Sequence, residues 1–173
     1  MRNVMLSIIC CFLLAVGAAS HAQVKQVPLS ADDTDKIREA ANNPPERIKL
    51  YIKFINERMT NIKATLADKR AVLPDQQIQL HNLLDEFTRL VDELQDNLDA
   101  YADHHDDIRK PLKDVLDADA RWQETLKLVP PSPGYDFVLK TALEAVASTE
   151  ESSKKLLEEQ NEYFKNAKKS PKD

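Results

Sequence analysis

Asp99, Asp103, His104, Asp106 and Asp107, with His105 among them, are the densest run of potential metal ligands in this 173-residue chain. Asp99, Asp103 and Asp107 recur at four-residue steps, so on a helix they share one face, and carboxylates beside an imidazole make a donor set for a divalent cation. The candidate metal ligands are therefore Asp99, Asp103, His104 and Asp107. Their spacing fits no dedicated motif. Tyr101 and Ala102 stand three residues ahead of the two histidines, where a di-iron bundle carries glutamates, and no H-E-x-x-H zinc sequence occurs. His105 also falls on the hydrophobic ladder described below, which predicts a buried histidine bonded to a neighbouring helix. His81 and Asp85 have the spacing of an ordinary surface pair on a helix.

No other chemistry stands out. Serines and threonines lie in no recognisable arrangement with histidine, and carboxylates are too numerous to single out a general acid and base. Gly134 is the one glycine beyond the N-terminal segment, so phosphate-cradling loops and nucleophile elbows cannot be built. Cys10 and Cys11 both lie in that segment, which leaves the rest without disulfides, thiolate metal sites, a cysteine nucleophile or a c-type haem attachment. The expectation is a protein with no catalytic residue and no cofactor, and not an enzyme.

The elements that would carry these side chains are helices. Leu80, Leu84, Phe87, Val91, Leu94, Leu98, Tyr101, His105, Ile108, Leu112, Val115, Asp119, Trp122, Leu126 and Val129 follow one another at alternating steps of four and three. That heptad spacing, as in a coiled coil, keeps one stripe turned to partner helices. Asp119 is a polar rung, expected to be a buried acid paired with a base. Asn43-Pro44-Pro45-Glu46, Pro74-Asp75 and Ser132-Pro133 mark helix starts. The first long helix, about 45 to 70, carries Ile48, Ile52, Ile55, Met59, Ile62 and Leu66, widened by Tyr51 and Phe54. The last, about 133 to 166, carries Tyr135, Leu139, Ala142, Val146, Thr149, Ser153, Leu156, Gln160 and Tyr163. A short helix from Ser30 to Asn42 offers only Ile37 and alanines for docking.

Between 75 and 128 either one helix kinks at Pro111 or two helices fold back on each other, with Asp106 or Asp107 as the new cap. A straight helix drifts about 20° per heptad against a strict seven-residue repeat, which favours a break. The predicted fold is all-α, an antiparallel up-and-down helical bundle of three to four long helices; the alternative is one kinked helix ~80 Å long. From Asp85 to Asp107 nine acids face Arg89 alone, whereas the preceding helix is mainly basic, so the two should attract as neighbours.

Residues 1–22 read as a cleaved secretory signal: Arg2, an apolar run from Val4 to Ala19, then Ser20-His21-Ala22 before Gln23. Residues 23–43 form an N-terminal segment, 44–166 the bundle and 167–173 a basic tail. Loss of Arg2 would take the formal charge from −5 to −6, which argues against nucleic-acid binding. No stretch after the signal is apolar enough to span a bilayer. The chain is thus expected to be periplasmic or secreted and to act on an unidentified protein partner as an adaptor, scaffold or chaperone-like factor, with homo-oligomerisation possible. The runner-up is a metal-binding or sensing module built on residues 99–107.

Overall fold

A computed structural model describes residues 29–68 and 74–167. The expected signal segment and all of the basic tail except Ala167 fall outside the described residues. The described chain is helical: α1 (Ala31–Glu39) runs into a short 3-10 turn (Ala40–Asn42), followed by α2 (Pro44–Ala67), α3 (Pro74–Asp103), α4 (Arg109–Lys127) and α5 (Asp136–Ala167).

Local sequence explains these borders. The Ser30 hydroxyl accepts the Asp33 N–H at 3.1 Å to cap α1. Asn43 Oδ1 accepts the Glu46 N–H, with Pro44 and Pro45 filling positions whose N–H groups would have no helical partner. The stretch from 75 to 128 is two helices, and the break falls at residues 104–108, ahead of Pro111. Pro111 itself is buried in the first turn of α4, where a missing N–H costs nothing. α5 begins at Asp136, later than the Ser132-Pro133 pair suggests. Ser132 instead anchors a preceding turn, its carbonyl accepting from Tyr135 and Asp136 while its own N–H donates to Asp136 Oδ1 at 2.6 Å.

The four long helices alternate in direction, which makes the fold an up-and-down bundle. Arg58 meets Glu86 and Tyr51 meets Asn97, so α2 and α3 are antiparallel. Ile108 meets Gln160, near the start of α4 and the end of α5, so these two are also antiparallel. His81 meets Gly134 and Gln95 meets Ser152, so α3 and α5 run parallel. Around the bundle α2 packs on α3, α3 on α5, α5 on α4, and α4 more lightly on α2. Consecutive helices α3 and α4 therefore lie across the diagonal. Their side chains meet at the centre, where Phe87 and Trp122 pack edge to face with ring centroids 6.0 Å apart.

Every rung of the long ladder is buried except His105. Leu80, Leu84, Leu90, Leu94 and Leu98 are wholly inaccessible, as are Ile108, Leu112 and Val115. On α2 the buried stripe is broader than the heptad positions alone: Tyr51, Phe54 and Thr65 are buried, while Ile52 and Leu66 are half-buried. Trp122 keeps its polar handle satisfied by donating Nε1–H to Asn56 Oδ1 at 2.7 Å. The opposed charges of α2 and α3 meet in the Arg58–Glu86 pair at 2.7 Å, partly shielded from water. Ile37 and Ala40 of the short N-terminal helix and turn are buried, so even this lightly docked piece covers apolar surface.

Candidate functional site

The Asp/His cluster is a helix terminus and a corner, and the structure does not gather it into a metal site. α3 ends in a Schellman motif: Asp106 N–H donates to Tyr101 O at 2.9 Å and His105 N–H to Ala102 O at 3.0 Å. The motif needs one residue in the left-handed region. Glycine usually supplies it, but here His105 does, with φ of 60°. The predicted buried rung is therefore wrong: helical phase ends at Asp103, and the left-handed turn throws His105 outward. Its exposed ring stacks on Tyr163 of α5, centroids 4.4 Å apart and planes inclined by 19°.

The corner divides the four candidate metal ligands: Asp99 and Asp103 stay on α3 and line one groove, while His104 and Asp107 lie beyond the helix end. Asp99 is exposed on α3 and accepts from Gln95 Nε2 at 2.9 Å. Asp103 closes that helix, and His104 sits exposed in the turn. Asp107 is turned to Arg109, taking two hydrogen bonds from its guanidinium at 2.8 and 2.5 Å. Among the described residues no group of three or more His, Cys, Asp or Glu side chains is arranged to hold a metal ion. His81 likewise does not pair with Asp85, which binds Arg89 at 2.7 Å; its Nδ1 lies 3.3 Å from the Gly134 carbonyl.

Gln160 holds the corner in place. Its Oε1 accepts the Ile108 N–H at 3.0 Å, and its Nε2 donates to Asp106 O at 2.7 Å. Ile108 stands at the N-cap position of α4 and makes no side-chain bond; of the two expected caps, Asp107 takes the first N–H of the helix, its Oδ1 accepting from Arg109 N at 3.3 Å, and α5 meets the backbone at Ile108. A groove of about 530 Å³ opens beside this clamp, with Asp99, Asp103, Lys155 and Glu159 at its edges and Tyr163 and Phe164 as aromatic walls. The Arg109 guanidinium lies over the Phe164 ring, 4.6 Å from its centre.

At the opposite end three large apolar side chains are exposed. Ile78 in the first turns of α3, Leu128 just after α4 and Phe137 at the start of α5 are 60%, 77% and 79% exposed. Antiparallel α4 ends where the parallel pair α3 and α5 begin, which brings all three to one end of the bundle. Gly134 lies there too, packed so closely on α3 that a Cβ would stand 2.6 Å from Gln77 Oε1.

No protein-family model, curated protein or solved structure matches this chain. No helix among the described residues is long and apolar enough to cross a membrane.

Two features escape sequence reasoning. Heptad spacing marks Gln160 as one more rung on α5, but its bonding role depends on a corner more than fifty residues away. The apolar end is hidden because Ile78, Leu128 and Phe137 each sit off the heptad register, where a single apolar residue carries no meaning until three helix ends are brought together. Asp119 is buried as predicted, fully inaccessible, yet among the described residues no base pairs with it and neither Oδ1 nor Oδ2 has a hydrogen-bond partner.

Proposed function

We propose that this chain is an exported, non-enzymatic helical bundle that works through protein–protein contact at the end carrying Ile78, Leu128 and Phe137. The observation that carries this reading is the exposure of those three large apolar side chains at one end of a bundle in which, among the described residues, the other large apolar side chains are mostly buried, Tyr163 at the far end excepted. Apolar groups gathered at one place on an otherwise charged surface mark interaction sites. Phenylalanine is also an effective anchor, because it buries much area while losing little side-chain freedom. Export rests on the Arg2, Val4–Ala19 and Ser20-His21-Ala22 pattern.

Site-specific photocrosslinking tests this directly. A photoreactive residue at Phe137 should yield one discrete adduct in cells of the source organism, whose mass distinguishes a second copy of the chain from another protein. The same probe at Glu151, exposed midway along α5, should yield none. Equal adduct patterns at both positions would defeat the reading.

A further inference from the structure

Asp119 is the most unusual group in the bundle. It is on α4, with no accessible surface and, among the described residues, no hydrogen bond to either carboxyl oxygen. Ser153 of α5 is also wholly buried and its hydroxyl is equally without a partner. The α5 stretch that acts electrostatically on Asp119 is that of Glu150 and Lys154, so the acid lies in the seam between α4 and α5. Thr149 is buried in the same stretch.

The surroundings decide which form of the acid can stay there. On α5, Glu150 and Lys154 pair with each other at 2.6 Å, so the cation is already engaged. On α2, the other helix packed on α4, the charged residues level with Asp119 are Lys49, Lys53 and Glu57, all exposed. Across the diagonal α3 offers buried Phe87 and Leu90, while Glu86 and Arg89 are engaged by Arg58 and Asp85. On α4 itself Asp117 and Arg121 are exposed. A buried carboxylate with no donor carries the full cost of desolvation, whereas the neutral acid has only ordinary hydrogen-bonding needs. α4 is also the shortest of the four helices and packs lightly on α2, so α5 is its main support.

We propose that Asp119 is a proton-controlled lock on the α4–α5 seam: the neutral carboxyl keeps α4 closed on α5, and loss of the proton favours release of α4 and exposure of its apolar stripe, Leu112, Val115, Trp122 and Leu126. Burial first, and the Glu150 charge second, push the Asp119 carboxyl up to about 7, with Lys154 opposing. When α4 opens, water reaches the acid and its affinity for the proton falls to the ordinary carboxylate range. Opening is therefore hardest below about pH 4, grows easier by up to about tenfold per pH unit, and levels off above about pH 7.

Native-state hydrogen exchange of the full chain, corrected for intrinsic exchange rates, reads this opening. The equilibrium for opening α4 from α5 should be about fiftyfold larger at pH 7 than at pH 5, and Asp119→Asn should remove that difference. Should Asp119→Asn not fold, carboxyl NMR on the wild-type chain tests the same lock through the titration midpoint of Asp119. Glu150→Gln should lower that midpoint and Lys154→Gln should raise it, a pair of opposite shifts that a purely packing role would not produce. An Asp119 midpoint near 4, or an unchanged pH dependence in Asp119→Asn, would overturn the lock.

Discussion

Gln160 of α5 accepts the Ile108 N–H at 3.0 Å, so the start of α4 is held by a side chain from the last helix as well as by the local Asp107. The same amide donates to Asp106 O at 2.7 Å, and together the two bonds fix the corner between diagonal helices. Gln160→Leu keeps the volume but orphans a buried N–H and a carbonyl. The expected loss is about 2 to 4 kcal/mol in urea unfolding, with faster exchange of the Ile108 amide. An unchanged midpoint would mean the corner needs no clamp.

His105 tests the left-handed turn. At φ of 60° a side chain with a branched Cβ is the most strained and glycine the least. His105→Val should cost about 1 to 2 kcal/mol. His105→Gly should stay within about 1 kcal/mol of wild type, its relief of strain offset by the lost Tyr163 stacking and a freer unfolded chain. Equal stabilities for the valine and glycine variants would show that the position is not left-handed.

The central core gives a plainer test. Leu94 is inaccessible among α3 neighbours of the same kind, so Leu94→Ala should destabilise by about 2 to 5 kcal/mol. A loss below about 0.5 kcal/mol is what an exposed position would give.

These three positions show how far the sequence could be read. Leu94 was legible because heptad spacing is a local signal that reports burial whichever helix covers it. Phase alone misled at His105: the four-three count runs on through residues 104–108, although the backbone there leaves the helix, and a non-glycine residue in the left-handed region announces nothing in the sequence. Gln160 was unreadable as a clamp because a hydrogen bond between α5 and the α3–α4 corner follows from the order of helices around the bundle. That order, with α3 beside α5 and diagonal to α4, depends on which faces fit best in three dimensions. Asp107 leaves the face it was expected to share with Asp99 and Asp103 for the same reason as His105, since α3 ends at Asp103 and Asp107 lies beyond it.

Asp119 gives the pH prediction. Its folded carboxyl sits at about 7, above the ordinary value of 3.8. The folded state thus holds a proton the unfolded state has released, so this group's contribution to stability is present below about pH 4 and declines as pH rises to about 7. The slope is at most about 1.4 kcal/mol per pH unit, or about 4 kcal/mol over the window. Asp119→Leu should remove this decline and stabilise the bundle by about 1 to 4 kcal/mol at pH 7.5, as an apolar residue of similar size suits the seam. A destabilised leucine variant at pH 7.5 would mean the carboxylate has a favourable role there.

Whether the bundle works through its apolar end is tested most directly by comparing partner association of the wild-type chain with that of a Leu128→Ser, Phe137→Ser variant. Both side chains are largely exposed, at 77% and 79%, so the variant should keep its melting temperature. Its affinity for the protein crosslinked at Phe137 should fall at least a hundredfold in calorimetry, about 2.7 kcal/mol, as expected when interface anchors are truncated. Undiminished affinity in a variant of unchanged stability would contradict a role for this end in binding.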